Sequence, residues 1–124
     1  MPMIIQTQNF PMTDAIRAHL VKRLTHALQP FESRISTVDV FFKDLDGSSR
    51  NGVDKNVLIK IQLIGQGALV VEHASDDLYI SITVAARRAK RVIKRALRRE
   101  QRFERRKLQQ EMFDITAGMA GTGG

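Results

Sequence analysis

Apolar positions recur along this chain with two different periods. In "TDAIRAHLVKRLTHALQP", Ile16, Leu20, Leu24, Ala27 and Leu28 lie three or four residues apart, which is the spacing of one helix face. Thr13 is placed to cap that helix, Asp14 suits its positive end, and Pro30 is expected to stop it. In "RISTVDVFFKDLDG" the period changes to two: Val38, Val40 and Phe42 alternate with Asp39, Phe41 and Lys43, and the β-branched and aromatic content supports a strand. In "NVLIKIQLIGQG" the residues Val57, Ile59, Ile61 and Leu63 share one face, Gly65-Gln66-Gly67 signals a hairpin, and "ALVVEHAS" reads as the returning strand. Ile4–Asn9 is a further short strand. The intervening "DLDGSSRNGVDK" is rich in turn residues and predicts a mobile loop.

Beyond "HAS" the helical period returns. Ser75 or Asp76 is expected to cap this second helix, with Asp76 and Asp77 at its first turn. No Gly or Pro interrupts the chain from there to Lys107. Leu78, Ile82, Ala85, Ala89, Ile93 and Ala96 form one stripe, flanked by Val92 and Leu97. A helix over 76–107 would be about 48 Å long, against about 27 Å for an eight-residue strand, so the part from about Arg95 onward is expected to overhang the sheet. The element order is β-α-β-β-β-α. Two helices with single apolar stripes predict an α+β two-layer sandwich, with both helices on one face of a four-stranded sheet. Residues 1–107 are expected to form a single domain. In 108–124 periodicity fades and glycine accumulates, which predicts a flexible tail.

Charge changes the picture more than overall composition does. The formal net charge is +7, and it is concentrated in one place. The 22-residue stretch Ala86–Lys107 carries twelve basic and two acidic residues, a net of +10; the rest of the chain carries eight basic and eleven acidic, a net of −3. A mildly acidic domain with one intensely basic element calls for a polyanionic partner. A solvated helix face normally mixes its signs, and this one barely does. A membrane-surface helix needs bulky apolar residues opposite its charge, whereas here that face is rich in alanine and is needed by the sheet. Like-charge neighbours such as Arg91–Arg95 and Lys94–Arg98 cost a few tenths of a kcal/mol each, a cost that a bound polyanion relieves. Arginine outnumbers lysine, which favours bidentate phosphate contacts. The element order fits no groove-reading DNA motif, and RNA, recognised through phosphates, shape and 2′-hydroxyls, fits better.

Other chemistry is poorly supported. There is no cysteine, which excludes disulfides and thiolate metal sites. His19, His26 and His73 have no partners at metal-ligand spacing. Asp44, Asp46 and Asp54 lack the calcium-loop pattern. Gly65 and Gly67 make a lone G-x-G between strands, not ahead of a helix, and no serine has triad context. Tyr79, near a helix start, reads as packed with its hydroxyl at the rim. No enzyme, metal, cofactor or small-molecule substrate is expected. The N-terminal residues lack a signal-peptide pattern, and no apolar run approaches the roughly 20 residues of a membrane span, so a soluble cytoplasmic protein is the default reading.

Two motifs in this order carry a resemblance. Asn9, Thr13, Asp14, Ala15, Ile16 and Arg17 meet N-x-x-x-T-[ED]-A-[LI]-R; Asp77, Leu78, Tyr79 and Ile82 meet D-[LM]-Y-x-x-I, and basic positions follow at Arg88, Arg91, Arg95 and Arg99, with Arg23 matching one in the first helix. Over about residues 3–107 the chain resembles the ribosome hibernation-promoting factors, also called ribosome-associated inhibitor or sigma-modulation proteins. The resemblance implies the same β-α-β-β-β-α order and binding to ribosomal RNA of the small ribosomal subunit. Bound there, the protein would sterically block the messenger and transfer RNA sites and preserve idle ribosomes. Three features depart from the family pattern: the additional charges Lys90, Lys94 and Arg98, the long 44–55 loop, and no ribosome-dimerising domain after Lys107, which implies a short form, monomeric off the ribosome. The RNA-binding set expected on this reading is Arg17, Lys22 and Arg23 on the first helix, with Arg87, Arg88, Lys90, Arg91, Lys94, Arg95, Arg98, Arg99 and Arg102 on the second. A general duplex-RNA module and a domain docking an acidic protein partner stay open as alternatives.

Overall fold

The computed structural model describes residues 1–8, 10–44 and 55–122, with side chains described through Gly118. The loop predicted between Asp44 and Lys55 lies outside the described residues, as does Asn9. The elements are β1 (Met3–Gln8), α1 (Asp14–Leu28), a 3-10 segment (Gln29–Arg34), β2 (Ile35–Asp44), β3 (Lys55–Leu63), β4 (Ala68–Ser75) and α2 (Leu78–Thr122). The fold is α+β in the order β-α-β-β-β-α. The chain divides into two compact units, residues 1–93 and residues 94–124.

In the first unit the sheet order is β1-β2-β3-β4. β1 runs parallel to β2 and the other two pairings are antiparallel. Alternation decides the faces. Val38, Val40, Phe42, Val57, Ile59, Ile61, Leu63 and Val71 are buried together with Leu20, Leu24, Ala27 and Leu28 of α1 and Leu78, Ile82, Ala85, Ala86, Ala89 and Ile93 of α2. Both helices therefore cover one face, and the other keeps Ile4, Phe41, Lys60 and Val70 exposed.

Local chemistry explains the boundaries. The Thr13 hydroxyl accepts from the Ile16 N–H at 3.2 Å and caps α1. α1 ends at Leu28, two residues before Pro30, and the chain tightens into the 3-10 segment, with Pro30 near its start where no N–H is needed. In the β3–β4 hairpin the Gln66 N–H reaches the Leu63 carbonyl at 3.4 Å. Gly65, third in that turn, has φ +81°, the left-handed value a type II turn requires. Arg34 closes the same corner: its guanidinium donates to the Ile64 carbonyl at 3.0 Å, and the Ile64 N–H returns to the Arg34 carbonyl at 2.8 Å.

The start of α2 differs from expectation. Neither Ser75 nor Asp76 caps it; the Asp77 carboxylate accepts from the Tyr79 N–H at 2.9 Å. Ser75 is engaged one step earlier, where its hydroxyl accepts from the Asp77 N–H at 3.2 Å and lies 2.7 Å from the Ser81 hydroxyl. Ser81 is fully buried and donates to the Lys55 carbonyl at 2.7 Å, tying the first turn of α2 to the start of β3. Ser81→Ala is expected to destabilise the fold by about 1–3 kcal/mol, because it strips a buried partner from a polar group. The check is a lower urea midpoint with an unchanged slope.

In the second unit the helix continues through Thr122. Leu108 to Ala117 contains good helix formers and neither Gly nor Pro, and Gln110 donates to Asp114 across one turn at 2.9 Å. The side chains from Gln101 to Gly118 are all exposed.

Candidate nucleic-acid interface

The same periodicity that buries one stripe of α2 sends its cations outward. Arg87, Arg88 and Arg91 are exposed and Lys90 is half-buried in the first unit; Lys94, Arg95, Arg98, Arg99 and Arg102 are exposed in the second. On α1, Arg17, Lys22 and Arg23 are exposed as well. Small residues underlie this arrangement. Ala85, Ala86 and Ala89 are buried, and such short side chains let a helix lie close to its neighbours while long basic side chains rise from its other side.

Within the first unit α1 and α2 enclose a groove of about 170 Å³, lined by Arg23, His26, Thr83, Arg87 and Lys90 over Ala27 and Ala86. His19 helps set the helix spacing. Its ring meets the Tyr79 ring edge-on at 4.9 Å, and its Nε2 lies 3.4 Å from the Thr83 hydroxyl, which also donates to the Tyr79 carbonyl at 2.9 Å. Three long cations, an imidazole and a hydroxyl around so small a groove make a recess suited to a phosphate group, since Arg and Lys supply charge and several N–H donors.

The expected residues do not all converge on that recess. Arg23, Arg87 and Lys90 line it. Arg17 stands about 120° around α1 from Arg23 and about 180° from His26, so it faces another direction, and Lys22 is not among the lining residues. Arg88 is turned toward the sheet edge and donates to the Glu72 carbonyl of β4 at 2.8 Å, a tether between α2 and the edge strand. That charge also acts on His73: burial first, and Arg88 second, hold its imidazole below the usual histidine range. Sequence reasoning did not include His26 and Thr83 in the site. His26 follows Arg23 by one helical turn, which is a usable signal, but nothing in the sequence pairs either residue with α2.

Among the described residues no group of three or more His, Cys, Asp or Glu could hold a metal ion, and no helix is long and apolar enough to cross a membrane.

Residues 3–101 match the family described as sigma 54 modulation protein / S30EA ribosomal protein, and the chain belongs to that family. The match ends at residue 101, within α2. Two solved structures have the same fold. A ribosomal subunit interface protein from Coxiella burnetii superposes with a TM-score of 0.65 at 22% identity, covering 77% of this chain and 97% of that one. The N-terminal domain of Thermus thermophilus Protein Y superposes with a TM-score of 0.62 at 27% identity, covering 77% of this chain and 98% of that domain. No curated protein matches the chain.

Proposed function

We propose that this protein is a ribosome-associated translation inhibitor, a hibernation factor of the cytoplasm that binds ribosomal RNA of the small subunit and occupies the messenger and transfer RNA sites. The observation that carries the reading is the groove of the first unit, where Arg23, Arg87 and Lys90 line a recess of about 170 Å³ and Arg91 is exposed; the second unit by itself exposes Lys94, Arg95 and Arg98. Family membership supports the ribosome as the source of that polyanion, and two structural neighbours include a protein described as a ribosomal subunit interface protein. The mechanism is steric. Cations on α1 and α2 neutralise RNA phosphates, and the bulk of the domain then stands where messenger and transfer RNA would lie; no bond is made or broken.

Sucrose-gradient sedimentation of the tagged protein from growing and starved cells tests this. The protein is expected to travel with small subunits or whole ribosomes and to be displaced by messenger or initiator transfer RNA. Its affinity is expected to fall linearly on a log-log salt plot, with a slope of roughly −0.7 to −0.9 per phosphate contact. A protein that stays at the top of the gradient under both conditions, or that prefers free duplex RNA to the subunit, would overturn the proposal. Survival of binding in nuclease-treated lysate would identify an acidic protein partner instead.

A further inference from the structure

We propose that the uncovered face of the sheet carries a second site, a cleft that holds one unpaired nucleotide of single-stranded RNA. The inference does not rest on the basic surface of α2, because the cleft lies on the face that the helices leave open. There Gln6, Phe41, Leu58 and Glu72 stand in register across all four strands, and Gln8, Lys43 and Asn56 form the next row. Together they line a cleft of about 490 Å³, a volume typical of small-ligand sites.

The chemistry of the lining selects the occupant. Phe41 is 40% exposed on a sheet face that would ordinarily be polar, so it offers a ring on which a base can stack. The side-chain amides around it provide both donors and acceptors, which suits the mixed edge of a base. The two charged groups sit on strands two apart, about 10 Å across the sheet. The Glu72 carboxylate can accept from an exocyclic amine, and the Lys43 ammonium can meet a phosphate oxygen. Among the described lining residues Lys43 is the one cation, and Glu72 balances it. A free di- or triphosphate would place several negative charges beside that carboxylate with a single ammonium to offset them. An RNA strand brings one negative charge per nucleotide, which matches the lining.

The test is a titration of the isotope-labelled full chain, followed by amide NMR, with cytidine and uridine RNA hexamers at a salt concentration that suppresses general phosphate binding. The hexamers have the same charge, and only cytosine carries the exocyclic amine. The cytidine hexamer is expected to shift the amides of Phe41, Lys43 and Leu58 and to bind about tenfold more tightly than the uridine hexamer. Phe41→Ala is expected to weaken the cytidine hexamer by roughly tenfold, and Glu72→Gln to remove the preference for cytidine. Phe41→Leu keeps the apolar surface without the ring, so the same loss in that variant separates stacking from misfolding. Shifts confined to α1 and α2, a cytidine-hexamer affinity unchanged in the Phe41 variants, or a cytidine preference unchanged in Glu72→Gln, would overturn the site. Cytidine monophosphate binding as tightly as the hexamer would overturn the strand assignment in favour of a free nucleotide.

Discussion

Replacing Arg91, Arg95 and Arg98 together by Glu is expected to weaken association with small ribosomal subunits by at least about a thousandfold, since each charge-assisted contact to phosphate contributes about 1.5–3 kcal/mol and reversal replaces attraction with repulsion. All three side chains are exposed, so the core is untouched. The helix itself should not suffer. Each new carboxylate faces a remaining cation one turn away, as in Arg87–Glu at 91, Glu at 95–Arg99 and Glu at 98–Arg102, and such pairs contribute a few tenths of a kcal/mol where like charges cost a similar amount. The variant should therefore melt at or above the temperature of the parent while failing to co-sediment with subunits. Arg17→Glu is the contrast: it lies on another flank of α1 from the groove, and its effect is expected to stay within about tenfold, less than the loss of a single charged contact to phosphate. Undiminished co-sedimentation of the triple variant would remove the basic surface of α2 from the mechanism.

The second large effect concerns the fold. Phe42 is 1% exposed, pairs with Val57 of β3 and stacks on Phe10 with ring centroids 6.0 Å apart. Phe42→Ala is expected to destabilise the domain by about 3–5 kcal/mol through lost burial and the cavity left behind, a large part of the roughly 5–15 kcal/mol that holds such a domain together. Its neighbour Phe41 points to the opposite face and is 40% exposed, so Phe41→Ala is expected to cost less than about 1 kcal/mol. Urea unfolding of the two variants decides the matter. Equal losses would mean that the two phenylalanines are not divided between a covered and an open face.

Much of the fold was legible from local periodicity. Val38, Val40 and Phe42 alternate, and so do Val57, Ile59, Ile61 and Leu63, because a strand sends successive side chains to opposite faces and only one face here is covered. The stripe from Leu78 to Ala96 and the cations opposite it follow from helical geometry in the same way. Pro30 likewise marks the end of α1, which stops at Leu28 and is followed by a 3-10 segment. Where local signals competed, one misled: Ser75 predicted a cap that Asp77 supplies, because the Ser75 hydroxyl is engaged with Asp77 and Ser81.

The sequence by itself determined which face of each element is apolar, where the charge concentrates and the order of the elements, since each of these is a property of neighbours along the chain. Tertiary structure alone decided the rest. Nothing in "MIIQTQ" specifies that β1 pairs in parallel with β2, that Arg88 reaches the Glu72 carbonyl, that Arg17 stands apart from Arg23, or that Arg23 and His26 share a groove with Thr83, Arg87 and Lys90. Periodicity reports the direction in which a side chain leaves its own element. The partner it meets is set by how the elements pack, and here those partners lie as far apart in sequence as Arg23 and Lys90.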